Sequence, residues 1–408
     1  MATIMTPGVY MLEVASGTRP IESVGTGTTA FVGLAPSRAA RSHEAVAVNN
    51  WPQFCKIFVG ESEESTPLSC AVYGFFENGG SRCYVVNVGE DGGRIVYPMR
   101  GGQRRGIAKL EEVEAQIVVA PGCKDVEGLI SHCEFMGDRV AIVDGPETAE
   151  DIDALLAIRT EAAEGGVAPP SAEPKKTAGL RPRNSKGGFA AFYFPWITVQ
   201  DPLSSKRRLI NVPPSGHLAG IYASTDATRG VHKAPANVII RGALNLSQSI
   251  TPQEQGPLNQ AGVNCIRMLG GGITVWGCRT LDDSASEWRY INVRRLFNMI
   301  KESIQRGTRA VVFEPNDLTL WKSIRRDVSL YLTSVWRTGA LVGKTPAEAF
   351  FVKCDAENNP PEEVDAGRVN IDIGVAPVKP AEFVIFRIGQ YSGGAQETNE
   401  GDKEASNG

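Results

Sequence analysis

The stretch "AQIVVAPGCKDVEGLISHCEFMGDRVAIVDG" (residues 115–145) holds two apolar strands, AQIVVAP (115–121) and RVAIVDG (139–145), with a helical stretch at about 124–135 between them. A strand that faces water on one side alternates apolar and polar residues, whereas a strand covered on both faces is apolar throughout. The same pattern continues outward. Further strands are expected at 29–35 (TAFVGLA), 55–60 (CKIFVG), 82–89 (RCYVVNVG), 192–199 (FYFPWITV), 207–213 (RRLINVP) and 272–280 (GITVWGCRT), with helices at 67–78, 150–162 and 216–227. Apolar strands separated by helices predict an α/β core over 29–285, built on a mainly parallel sheet with both faces covered. The Gly- and Arg-rich piece at 89–106 and the Gly/Pro/Lys-rich piece at 161–188 read as surface loops.

Beyond about residue 290 the character changes. NVRRLFNMIKESIQR places Val293, Leu296, Phe297, Ile300 and Ile304 on one helical face, and AVVFEP (310–315) reads as a short strand. Asn316 or Asp317 can cap a second helix of about twenty residues, with Leu320, Trp321, Ile324, Val328, Tyr331, Leu332 and Val335 as its apolar positions. Strands at 349–356, 368–377 and 381–390 close a C-terminal α+β domain (286–390), followed by a flexible polar tail (391–408). At the other end, GVYMLEV (8–14) is a strand on a Gly/Thr/Ser-rich leash within an N-terminal arm (1–28). Such a strand pairs either with its own domain or with the sheet edge of another molecule, and the residues leave both open.

Composition excludes several classes. The 408 residues carry 46 acidic and 42 basic side chains, a formal net charge of −4, and 42% are hydrophobic. That is a globular composition with no global pull toward nucleic acid or an anionic membrane. No apolar run reaches 18 residues and the N-terminus has no secretory pattern, so cytosolic synthesis without membrane insertion is expected. The eight cysteines stand singly and read as reduced small hydrophobes.

No catalytic or metal constellation emerges, and no cofactor is expected. The four histidines, His43, His132, His217 and His232, show no ligand spacing. Cys133 beside His132 lies on a helix where neighbours point about 100° apart, and Ser215 reads as a helix cap without a nucleophile elbow. Gly343-Lys344-Thr345 lacks the glycine that a phosphate loop needs four residues earlier, where Thr338 stands, and reads as a turn before Pro346. Basic residues gather at Arg294, Arg295, Lys301, Arg306, Lys322, Arg325 and Arg326, which suits a solvated face or an acidic protein surface better than a nucleic-acid groove.

Several phrases taken together resemble the contractile tail sheath proteins of phages and phage-like injection particles: PGVYMLEV, VVAPG (118–122), HCEFMGDRVAIVDGP (132–146), FYFPWITVQDP (192–202), VPPSGHLAGIYASTDATRGVHKAPAN (212–237), TVWGCRTL (274–281), YINVRRLFNMIKESI (290–304) and GVAPVKPAEFVIFRIGQ (374–390). The resemblance implies a subunit of stacked hexameric rings that surround an inner tube and contract to drive it through a target envelope, with no nucleotide consumed in the sheath. It implies baseplate and terminator or cap proteins as further partners, assembly in the bacterial cytoplasm, and incorporation in a phage tail or released injection particle. It also implies strands exchanged between subunits, here Val9, Tyr10, Met11, Leu12 and Glu13 of the arm and Phe383, Val384, Ile385, Phe386, Arg387 and Ile388 near the C-terminus. The last domain would face the tube, through Lys322, Arg325 and Arg326. The alternative reading is an α/β nucleotide-binding protein or enzyme, which requires a saturable ligand and a monomer or small closed oligomer.

Overall fold

The computed structural model describes residues 20–62, 64–89, 95, 104–159, 179–283 and 285–383. The chain runs through β1 (Thr29–Gly33), β2 (Ala45–Val48), α1 (Trp51–Phe54), α2 (Pro67–Glu77), β3 (Cys83–Asn87), β4 (Ile117–Val119), α3 (Val126–Met136), β5 (Val140–Asp144) and β6 (Ala190–Phe194). It continues through β7 (Ile197–Gln200), β8 (Leu209–Val212), α4 (Ser215–Arg229), β9 (Val238–Ile239), β10 (Ala243–Leu246), α5 (Pro252–Gln260), β11 (Val263–Leu269) and β12 (Gly272–Trp276). The last elements are α6 (Ile291–Gly307), α7 (Leu318–Arg337), α8 (Pro346–Ala349), β13 (Phe350–Lys353), α9 (Pro361–Asp365) and β14 (Asp372–Val375).

Nine strands form one sheet in the order β2-β3-β1-β4-β5-β6-β11-β12-β9. The strands from β3 to β11 in that order are parallel, while β2, β12 and β9 join antiparallel at the two margins. Alternation along each strand feeds two cores. Phe31, Val85, Ile117, Val119, Ile142 and Tyr193 meet α2 and α4 on one face, while Ala30, Val32, Val86, Val118, Ala141 and Phe192 meet α3 on the other. The second face explains why the strands read as unbroken apolar runs.

α2 and α4 lie against each other almost backbone to backbone. A Cβ on Gly216 would stand 2.3 Å from Ala71 Cα, and one on Gly74 would stand 2.3 Å from the His217 ring. His217 therefore fills the space that Gly74 leaves, only 1% exposed and with neither ring nitrogen hydrogen-bonded. At the start of α4, Asp144 accepts from the Ser215 backbone N–H at 2.8 Å and from its hydroxyl at 2.7 Å. The acceptor at this helix start is thus a carboxylate from the end of β5, with Ser215 as donor.

Several sequence expectations are corrected. CKIFVG is not a strand: Cys55–Val59 is a π-helical continuation of α1, because Phe54 and Phe58, one helical turn apart, are both fully buried with ring centroids 5.3 Å apart. FYFPWITV splits into β6 and β7, which belong to different sheets, since Pro195 has no N–H to give a ladder. The helix expected from 150 shrinks, among the described residues, to a 3-10 turn at Ile152–Leu155, which buries only Ala154 and Leu155. AVVFEP is a 3-10 turn, Arg309–Val311, followed by exposed Val312 and Phe313; its tie between two helices brings no partner strand alongside. β2, β9, β10 and β11 were not expected.

A third core joins α6 and α7. Leu296 and Ile300 meet Ile324, Val328, Tyr331, Leu332 and Val335, and the antiparallel pair β13–β14 packs against them. All eight cysteines are free thiols, six of them buried.

The burial of His217 has a pH consequence. Loss of water holds its ring neutral and brings its pKa down to about 4, below the ordinary value of 6.5. The unfolded chain takes up that proton below about pH 6.5 and the folded chain does not, so stability present above pH 6.5 is lost as pH falls toward 4. His132, pulled down to about 4 mainly by burial, acts in the same direction. In His217→Phe, thermal unfolding measured from pH 7 to 4 is expected to lose up to about 3 kcal/mol of that acid sensitivity. An unchanged pH slope would contradict the assignment.

Candidate functional site

α7 carries the basic residues singled out from the sequence. The helix begins at Asp317, whose carboxylate accepts from the Leu320 N–H at 2.8 Å, and the Trp321 indole N–H donates to Asn316 Oδ1 at 2.8 Å. Its inner face buries Trp321, Ile324, Val328, Tyr331, Leu332 and Val335. That leaves Lys322, Arg325 and Arg326 exposed together, at spacings that make them neighbours on a helix surface. Arg326 meets Asp327 at 2.9 Å, with the two side chains 54% and 26% exposed. A pair that open to solvent contributes about 0–1 kcal/mol, so it competes weakly with any partner for Arg326.

The sequence reading missed the ends of this stripe. Leu318 and Leu330, one turn before Lys322 and one turn after Arg326, are 54% and 63% exposed. The outer face of α7 therefore reads apolar, basic, apolar. A leucine out of phase with the buried positions was the available signal.

The rest of the expected basic cluster is divided: Arg294 and Arg295 are internal, whereas Lys301 is exposed and Arg306 partly so. Arg294 is buried with its guanidinium 3.8 Å over the Trp288 ring and 4.6 Å over Phe189, and burial lowers its pKa to about 10. Arg295 is buried against Asp226, with guanidinium-to-carboxylate distances of 2.9 and 2.5 Å. Lys301 donates to the Gly137 carbonyl at 3.2 Å, and Arg306 bonds Glu302 and meets Glu114 at 2.9 Å. Helical periodicity does not distinguish an arginine with a buried partner from one in water.

Val9 to Glu13 and Val384 to Ile388 lie outside the described residues; Phe383, the last described residue, is exposed. The roots of both segments are described. Ile21 is buried in the α6–α7 core, the Val24 N–H donates to Ser303 Oγ at 3.0 Å, and Glu382 receives Arg279 at 3.0 and 2.6 Å. Among the described residues β13 and β14 pair only with each other. Each thus offers an outer edge of backbone donors and acceptors to an added strand.

Gly343-Lys344-Thr345 forms a turn. The Gly343 carbonyl accepts from the Trp336 indole at 3.0 Å, and the Lys344 N–H donates to Glu348 at 2.9 Å, so a carboxylate holds the N–H that a phosphate loop would offer its ligand. Among the described residues no group of three His, Cys, Asp or Glu is placed to hold a metal ion, and no helix is long and apolar enough to cross a membrane.

Two family models divide most of the chain between them: the phage tail sheath protein central domain matches residues 104–281, and the phage tail sheath C-terminal domain matches 283–390. The fold superposes on the sheath of an extracellular contractile injection system, the PVC sheath complex in its contracted state, with 30% identity, 96% of this chain and 99% of that chain covered, and a TM-score of 0.72.

The chain belongs to the phage tail sheath family.

The contracted helical sheath of the anti-feeding prophage is also similar, at 26% identity and TM-score 0.67, covering 95% of this chain and all of that one. The tail sheath protein of Vibrio phage KVP40 is 31% identical over 181 residues, 43% of this chain; the match spans 26% of that phage protein. The structural neighbours come from sheath and baseplate complexes of contractile injection systems.

Because the Asp317 carboxylate caps the first turn of α7, Asp317→Ala is expected to cost about 1 kcal/mol. Hydrogen exchange would show it as faster exchange in the first turn, near Lys322, with the last turn unaffected.

Proposed function

We propose that this protein is the repeating subunit of a contractile sheath, assembled as stacked hexameric rings around an inner tube and contracting to drive that tube through a target envelope. The observation that carries the reading is the agreement of the fold along 96% of its length with a sheath subunit of an extracellular injection system. Free energy is stored in subunit contacts fixed at assembly, and many small repacking gains sum to a large stroke. Baseplate and terminator or cap proteins are its further partners in the assembly. Subunits are made in the bacterial cytoplasm, and the likeness to PVC and anti-feeding prophage sheaths favours a released phage-like particle.

Within this reading, 1–28 is an exchangeable arm, 29–285 the α/β body, 286–390 the tube-facing domain and 391–408 a tail. Strands 9–13 and 383–388 of neighbouring subunits add to the open edges of β13 and β14. Main-chain hydrogen bonds hold them while the leashes allow the bodies to move. Lys322, Arg325 and Arg326, bounded by Leu318 and Leu330, meet acidic groups on the tube.

Negative-stain electron microscopy of the protein, alone and with its genomic neighbours, is expected to show hollow striated cylinders. Discrete particles in both preparations, with phosphate-dependent ligand binding, would return the nucleotide-binding alternative. Reversing Lys322, Arg325 and Arg326 to Glu is expected to loosen sheath–tube co-assembly and to invert its salt dependence, with no loss of subunit folding. Co-assembly unchanged across ionic strength would remove these residues from the contact.

A further inference from the structure

Both ends of the described body are held by buried ion pairs. Among the described residues, Arg295–Asp226 (3% and 6% exposed) and Arg279–Glu382 (9% and 12%) are the two pairs in which both side chains are this deeply withdrawn.

At the N-terminal end the chain itself enters the pair. Thr26 donates its hydroxyl to Asp226 at 2.5 Å, and its carbonyl accepts from Arg295 at 3.0 Å. The Arg295 guanidinium also lies 4.9 Å over the Tyr222 ring, so it is held from two directions. At the C-terminal end Glu382 takes two bonds from Arg279 and one, at 3.3 Å, from the Tyr290 hydroxyl. Arg279 is itself fixed to the sheet: its N–H donates to Asn264 Oδ1 and its carbonyl accepts from Asn264 Nδ2, both at 2.7 Å, and Asn264 is in β11.

Stability alone does not call for charges here, because apolar side chains of similar volume serve a buried position as well or better. A two-pronged guanidinium–carboxylate contact adds direction: it resists sliding and rotation as well as separation. The first contact sits where the N-terminal segment passes from the α6–α7 core, in which Ile21 is buried, toward β1, and the second lies one residue before Phe383, the last described residue. Each ties its segment to elements of the nine-stranded sheet layer, α4 in one case and β11 in the other, and neither involves the small β13–β14 sheet.

We propose that Arg279–Glu382 and Arg295–Asp226–Thr26 are the mechanical anchors of the two arms, passing tension on an exchanged strand into the large sheet while the rings move. This rests on the strand exchange proposed above. Arg279, Asp226, Arg295 and Glu382 act as positioning residues: they fix the roots of the strands and leave the strand pairing itself to other groups.

The test uses the full chain assembled with its genomic neighbours, in four forms: wild type, Glu382→Gln, the exchanged pair Arg279→Glu with Glu382→Arg, and a deletion of 384–408. Three quantities are measured: the unfolding midpoint of dissociated subunits, the formation of extended sheaths, and the fraction of sheaths broken between rings after contraction is triggered by mild denaturant. Glu382→Gln is expected to assemble with a lowered subunit midpoint, since Arg279 then faces a neutral amide, and to break at least about tenfold more often on contraction, beyond what that fall in midpoint accounts for. The exchanged pair is expected to recover most of that loss. If Glu382→Gln fails to assemble alone, sheaths doped with a minority of the variant give the same comparison.

Glu382→Gln sheaths that contract intact would overturn the anchor. So would breakage that follows the fall in subunit midpoint across all variants, with no recovery in the exchanged pair, since that is the behaviour of an ordinary fold stabiliser. The deletion separates the two layers of the argument. Intact contraction without 384–408 removes exchange of the C-terminal strand, whereas breakage in the deletion beside intact Glu382→Gln sheaths leaves that exchange standing and removes the C-terminal anchor.

Discussion

Arg295 stands in the protein interior as a guanidinium, and the structure around it supplies the opposite charge. Asp226 does so from α4, and α6 is thereby fixed against the helix layer of the large sheet. The Thr26 carbonyl takes up a further donor and brings in the chain before β1. Three parts of the sequence far apart in number, 26, 226 and 295, meet at one charge. Removing either ionic partner would leave the other unpaired in a poor solvent, at a cost of about 3–5 kcal/mol, which is a large share of a typical domain's net stability.

That pairing separates two kinds of apolar core. The cores on either face of the sheet are built from strands whose side chains point alternately up and down, and the close approach of α2 to α4 leaves little room to shear. The third core holds two long helices against a two-stranded sheet, and a two-stranded sheet is marginal by itself. Helices cover it on the α6–α7 side, and among the described residues its two outer edges carry no further strand. The architecture thus pairs a stiff body with a smaller unit that has bonding capacity to spare.

The body was legible because burial on two faces writes itself as unbroken apolar runs, and β1, β3, β4, β5 and β12 fall inside the stretches expected for strands. Where a short apolar run is equally compatible with a helix, as at Cys55–Val59, periodicity could not choose, and the buried aromatic pair decided it. The margin strands β2 and β9 and the small-sheet strand β10 were missed because they are two to four residues long and partly exposed. Of the candidate site, the exposed basic face of α7 was legible from its phase against the buried positions. The buried pairs were not, since Asp226, Arg279, Arg295 and Glu382 find one another only in space. All four do lie within the phrases that carry the family resemblance, which was the one signal in the sequence that could have drawn attention to them.

The two classes of charge contact differ in strength in a way that suits different duties. Lys322, Arg325 and Arg326 are in water, where each contact is worth about 1 kcal/mol or less and fades within a Debye length of about 8 Å at physiological salt. On the proposed reading, contacts of that size, repeated around a cylinder, would hold a tube in register and yet release one by one as the surfaces slide. The pairs at Thr26 and Glu382 are withdrawn from solvent, directional and little screened, which on the proposed reading would keep their partners fixed during a movement. A sheath has to let go of its tube and keep hold of itself, and on the proposed reading that distinction is made by the depth at which each arginine is placed.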